Sequence, residues 1–188
     1  MESGDELRGP GLIYRIKYIS NLLLFILLSF CITSQARAED YRTIRGTVTK
    51  VSDGDTVIIK PVSGKLFKCR LYGIDAPEMP DNGIPGQPYG RAADRELNNL
   101  VIHTTVEVTL TGESSYDREV CLIKKMGVDI NREMVRRGYA WAYREHLKGP
   151  YTSEYVNAEN EARKMHRGLW QRVNPQPPWE FRNMNRRN

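Results

Sequence analysis

Cysteine and histidine are scarce, with three of each in 188 residues. His103, His146 and His166 stand at no zinc-ligand spacing from a cysteine or a carboxylate, so no metal is assigned to them. Long apolar runs are almost absent too. The one candidate, Leu22 to Thr33, has about a dozen residues, short of the ~20 that a bilayer-spanning helix needs. No internal repeat is visible, and the length suits one compact domain able to bury its own core.

The flanks of the apolar run give it a meaning. Arg15 and Lys17 precede it, and Ala36-Arg37-Ala38 follows a short polar stretch. A positive n-region, an apolar h-region and an A-x-A site are the parts of a secretory signal peptide. The expected organisation is a signal peptide at 1–38, a folded domain at 39–173 and a Pro/Arg-rich tail at 174–188, on the surface or disordered. The mature chain then starts at Glu39 and is exported, to the periplasm or beyond. An uncleaved segment that tethers the chain to an envelope complex is the alternative. Phe30 before Cys31 is not the small residue that a lipoprotein site requires.

The chain carries 28 Lys+Arg against 23 Asp+Glu, a net charge of +5. Residues 1–38 hold four of the former and three of the latter, so the mature chain keeps +4. A basic domain favours acidic partners such as nucleic acid or anionic membrane.

Alternation and β-branching predict strands at 43–51, 56–60, 66–72, 104–110 and 120–123, with a short extended piece at 128–130. Helical spacing predicts helices at 89–102, 131–137 and 151–166. Five short strands with one helix after the third and two more at the end give an α+β, mainly β chain. The five-stranded oligonucleotide-binding (OB) barrel is the natural candidate.

Acidic and basic residues cluster at the turns of that pattern. Asp53 and Asp55 flank Gly54 between the first two strands. Asp75 and Glu78 flank Ala76-Pro77 after the third, Arg70 lies within it, and Arg118 opens the fifth. Metal-assisted phosphodiester hydrolysis needs these parts. A hard cation takes carboxylate and carbonyl oxygens, a carboxylate orients or deprotonates water, and guanidinium forks meet the developing phosphate charge. Each part alone has a plainer explanation: Asp-Gly-Asp is usually a turn, and a strand arginine is usually solvated.

The order of the parts along the chain resembles the staphylococcal nuclease (thermonuclease) family. The resemblance rests on Asp53-Gly54-Asp55-Thr56, Arg70 to Glu78 (RLYGIDAPE), Tyr89-Gly90-Arg91-Ala92-Ala93, Val128-Asp129-Ile130-Asn131, Met134 to Gly138, Gly168-Leu169-Trp170 and Pro177-Pro178-Trp179-Glu180. It implies an SNase-like barrel that hydrolyses DNA and RNA with one Ca2+ ion. Asp55, Asp75 and the Ala76 carbonyl match the metal ligands, with Asp53 nearby as a tuning charge. Glu78 matches the general base, and Arg70 a phosphate-clamping arginine. The resemblance implies cleavage at P–O5′ with 3′-phosphate ends, no obligate protein partner, no membrane association after cleavage, and a monomer.

Arg118 depends on the alignment. The family usually shows Tyr-Gly-Arg at the start of the fifth strand, where this chain reads Tyr116-Asp117-Arg118. Counting back from Val128 without gaps puts Arg118 on the second clamp and Tyr116 on the nucleotide-binding tyrosine. A gapped reading deletes three residues and loses the clamp. Asp117 in place of glycine is expected to strain the turn and to oppose phosphate binding. A weakened, non-catalytic nucleic-acid-binding module is therefore the alternative function. Tyr143 is either a second nucleotide contact or a core residue at the barrel edge, and Trp141 and Trp170 are read as packing residues. Strand alternation turns Cys69 and Cys121 inward when Arg70 and Arg118 face the site. The third and fifth strands neighbour each other in the family's barrel, so the two form a disulfide or a buried thiol pair.

Overall fold

Nine strand residues, Val48, Val57, Ile59, Cys69, Leu71, Val106, Val108, Cys121 and Ile123, are each exposed by 1 % or less. They are the inward-pointing positions of β-strands, and the barrel is built around them. The computed structural model describes residues 42–81 and 83–186. The signal-peptide expectation concerns residues 1–38 and lies outside the described residues.

In chain order the strands are β1 (Arg42–Asp53), β2 (Thr56–Pro61), β3 (Phe67–Leu71), β4 (Ile74–Asp75), β5 (Thr105–Ser115), β6 (Arg118–Lys125), β7 (Val128–Asp129) and β8 (Trp141–Ala142). The helices are α1 (Gly90–Val101), α2 (Ile130–Arg136), α3 (Pro150–Lys164) and α4 (Pro178–Asn185). The main sheet runs β3-β2-β1-β5-β6-β7, and a parallel β3–β6 pairing joins its two sides. Five strands thus close into a ring of the OB type, as expected. The three expected helices form, and α4 is a fourth, from the segment expected to be a tail. β4 pairs with β8 in a separate two-stranded sheet.

Helix α1 buries Gly90, Ala93, Leu97 and Val101. Their spacing of three and four residues puts them on one stripe. The buried face thus runs through Ala93, with Ala92 and Leu100 only half-buried beside it. Burying one such leucine stabilises the fold by roughly 1.5–3 kcal/mol. Asn131, fully buried at the start of α2, fastens the barrel to the helices. Its amide donates to the carbonyls of Tyr72 (3.1 Å) and Cys121 (3.0 Å), and its oxygen accepts from the Ile123 N–H (3.1 Å). These bonds offset the cost of taking its polar atoms out of water.

Cys69 and Cys121 face each other across the parallel β3–β6 pairing. Their Cα atoms are 6.0 Å apart, and the two sulfurs are bonded. A smaller apolar cluster holds Trp141, Ala162, Leu169 and Trp170, with Trp179 of α4 packed against it. Trp141 and Trp170 are packing residues, and the Arg163 guanidinium lies over both rings.

Candidate active site

The site is assembled from strand ends. β2 and β3 run antiparallel with Thr56 opposite Arg70, and the Leu71 N–H donates to the Asp55 carbonyl at 2.8 Å. This register sets Arg70 beside Asp55. The chain then turns through Gly73, at φ 69°, and β4 delivers Asp75. Arg70 bridges the two carboxylates, donating to Asp55 at 2.6 Å and to Asp75 at 2.7 Å. Asp75 is fully buried and Asp55 nearly so.

Charge at this depth is held by hydrogen bonds. Asp55 also accepts from the Ala76 N–H (3.0 Å) and the Thr56 hydroxyl (3.0 Å). Burial pushes the Asp55 carboxyl up, but Arg70 and these donors outweigh it and hold the group below its ordinary range. Among the described residues no cation forms a salt bridge with Asp53. Burial, and next the charge of Asp55, push its carboxyl up to about 8.

Two glycines let the acidic segments meet. A Cβ on Gly54 would lie 2.6 Å from the Ala93 methyl and 2.8 Å from that of Ala76. A Cβ on Gly90 would run into the Glu78 carbonyl oxygen. The Tyr89-Gly90-Arg91-Ala92-Ala93 motif is therefore a seat. Its Gly90 receives the backbone of Glu78, and its Ala93 receives the Asp53-Gly54-Asp55 turn.

Glu78 stands on the same cavity, of about 480 Å³, with Asp53, Asp55, Arg70 and Arg118 on its wall. The structure brings together the residues singled out in the sequence. Arg118 does not pair with the carboxylates; it donates to the carbonyl (3.3 Å) and hydroxyl (3.2 Å) of Ser115. Tyr116 and Asp117 form a two-residue hairpin loop between β5 and β6. The positive φ of such a loop falls on Tyr116, at 58°, and not on Asp117. The turn strain expected at Asp117 is thus absent there. Its carboxylate engages the Lys68 ammonium at 2.5 Å, and that hydrogen bond holds it below its ordinary range. Both side chains are exposed, so the pair adds little stability.

Tyr116 is 88 % exposed at the hairpin tip. Tyr143 is half-buried on the cavity wall. Its ring is stacked on Trp179, with centroids 5.2 Å apart and planes 3° from parallel.

Two contributors were missed in the sequence. Gln87 is buried; its side-chain oxygen accepts from the Glu78 N–H (3.0 Å), and its amide donates to the Gln176 carbonyl (3.0 Å). Arg182 of α4 reaches into the site. It donates to both oxygens of Asp75, at 3.1 and 2.8 Å, and to Glu78 at 2.5 Å. The expected tail therefore closes one side of the cavity. A signal was present: Pro178 at the first helical position, then Trp179 and Arg182 three apart on one face.

Two buried carboxylates bridged by one arginine, with a flanking glutamate and further guanidiniums on the adjoining cavity, define a phosphodiester-cleaving class of site. The family described as staphylococcal nuclease homologue matches residues 68–172. An uncharacterized endonuclease of Haemophilus influenzae is 33% identical over 168 residues, covering 89% of this chain and 85% of that protein. An uncharacterized endonuclease of Escherichia coli O157:H7 is 37% identical over 140 residues, covering 74% and 85%. A micrococcal nuclease of Shigella flexneri is 34% identical over 147 residues, covering 73% and 80%. The chain belongs to the staphylococcal nuclease family, and it is a hydrolase, a nuclease of that type.

Proposed function

We propose that this protein is an exported, Ca2+-dependent nuclease that hydrolyses phosphodiester bonds of both DNA and RNA. The observation that carries the reading is the Arg70 bridge: one cation already sits between Asp55 and Asp75, so the two carboxylates converge on a single positive charge.

The donor set fits Ca2+. It comprises two hard carboxylates, and the Ala76 carbonyl follows Asp75 directly in the chain. Among the described residues no three His, Cys, Asp or Glu side chains cluster as ligands; a Ca2+ ion here would take its further ligands from backbone and water. Asp53, on the same cavity wall, tunes the site without being a main ligand. When bound, Ca2+ neutralises phosphate charge and lowers the pKa of water.

The residues supply the rest. Glu78, on its glutamine-pinned backbone, orients or deprotonates the attacking water. Arg70 and Arg118 donate to the phosphate oxygens as charge accumulates; among the described residues the Arg118 guanidinium hydrogen-bonds only Ser115. The break falls at P–O5′ and leaves 3′-phosphate ends. Tyr116 and Tyr143 contact the nucleotide. The protein acts as a monomer, and the leader at 1–38 is removed on export.

The test is cleavage of single-stranded DNA and of RNA by the purified protein, with Ca2+ and then with excess chelator. Cleavage of both that stops on chelation is expected. Binding without cleavage in Ca2+ would put the binding-module alternative first. N-terminal sequencing of the protein recovered outside the cytoplasm addresses export: a start at Glu39 is expected, and an intact leader contradicts it.

A further inference from the structure

α4 is held in place by contacts outside the carboxylate pair. Trp179 packs against Trp141 and stacks on Tyr143, and the Gln176 carbonyl just before the helix accepts from Gln87. Arg182 is thereby aimed at the metal-ligand positions rather than left on a mobile arm. Its guanidinium is bidentate on Asp75 and also holds Glu78.

The acceptor count at Asp75 sets up a competition. A carboxylate oxygen has two lone pairs. One Asp75 oxygen accepts from both Arg70 and Arg182, and the other accepts from Arg182. A divalent cation that takes Asp75 as a ligand meets one free lone pair there while Arg182 stays. Asp75 is completely buried, and Arg182 is the second of its two cations, beside Arg70. A carboxylate at that depth is costly unless cations and donors compensate it, so a metal that displaces Arg182 takes over its share.

We propose that Arg182 is the exchangeable counter-ion of the metal site. It neutralises Asp75 and Glu78 while no divalent cation is bound, and it leaves Asp75 when one binds. The C-terminal helix thus sets the Ca2+ concentration at which the site loads. This inference rests on the Ca2+ site proposed above.

The test is calorimetric titration of Ca2+ into chelator-treated protein, without nucleic acid. Wild type is compared with Arg182→Gln, Arg182→Lys and Arg186→Gln. Arg186 lines the same cavity, and among the described residues its guanidinium holds no carboxylate, so it controls for the mere loss of a charge. Removal of Arg182 is expected to tighten Ca2+ binding about tenfold or more, on the scale of charge-assisted hydrogen bonds. The lysine variant, a point charge without the fork, is expected in between. Arg186→Gln is expected to stay within about twofold of wild type.

Unchanged or weaker affinity in Arg182→Gln overturns the proposal, as does an equal gain in Arg186→Gln. If the glutamine variant fails to fold, the lysine variant decides: affinity equal to wild type overturns the proposal. Ca2+ binding by no variant and not by wild type overturns the metal site itself, and the exchange with it. Binding by wild type with no gain on removing Arg182 overturns the exchange alone.

Discussion

Gln87 and Glu78 bond to each other twice. The Gln87 N–H donates to the Glu78 carbonyl at 2.9 Å, and the Gln87 side-chain oxygen accepts from the Glu78 N–H at 3.0 Å. The proposed base is therefore fixed through its backbone, independently of the Arg182 contact to its carboxylate. Gln87→Leu keeps the volume and removes the side-chain bonds. It is expected to lower stability by about 1–3 kcal/mol, the cost of orphaning a buried N–H, and kcat by roughly tenfold or more. Steady-state kinetics beside a thermal melt separate the two effects. A lower Tm with unchanged kcat would make Gln87 purely structural.

Gly54 and Ala93 touch where the acidic turn meets α1. Gly54→Ala is expected to destabilise the fold by about 1–3 kcal/mol through overpacking, and to misplace Asp55. Ala93→Gly in the same chain opens the space again. Part of the lost activity is expected to return in the double variant. Strict additivity of the two losses would show that the contact is not what couples them.

Asp53 gives a pH prediction whose sign is opposite to that of a salt-bridged carboxylate. Its folded pKa is raised from 3.8 to about 8, first by burial and then by Asp55. The folded state therefore holds the proton more tightly than the unfolded chain. The resulting penalty is absent below the unfolded value, grows as pH rises through the interval, and is complete above about 8. Asp53→Asn is expected to raise the Tm of chelator-treated protein at neutral pH by at least ~2 °C, with no difference near pH 3. Equal melting of the two proteins at neutral pH would contradict the assignment.

Cys69 and Cys121 close a 52-residue separation across β3 and β6. No titratable thiol is expected from either residue in unreduced, denatured protein. Reduction is expected to lower stability by about 2–4 kcal/mol. Two free thiols would return the pair to packed cysteines.

Most of the fold was legible in the sequence because its strands alternate cleanly and end at polar turns. β1, β2, β3 and the first three helices fall where periodicity puts them. β4 and β8 were not legible: at two residues each they carry no period, and only their mutual pairing defines them. The carboxylates and arginines could be singled out because they sit at turns in a recognisable order. The contribution of Gln87 was hidden, since a glutamine in a Pro/Gly-rich loop has no pattern until its bonds are seen. Arg182 was hidden for another reason. A Pro/Arg-rich C-terminus reads as solvated, and Arg182 meets Asp75 across 107 positions of sequence. Asp117 shows the converse. A non-glycine residue at that position strains a turn only where its φ is positive, and the hairpin places its left-handed residue one position earlier, at Tyr116.

Phosphodiester cleavage is assigned to the cavity walled by Asp55, Glu78, Arg70 and Arg118, with Asp75 bonded to Arg70 beneath it. Its most direct test is the single-turnover cleavage rate of Arg70→Ala on single-stranded DNA, at saturating Ca2+, with a melt to verify folding. A loss of roughly 10²–10³-fold or more is predicted, as for removal of one donor to a developing oxyanion. A folded variant that cleaves at the wild-type rate would contradict it.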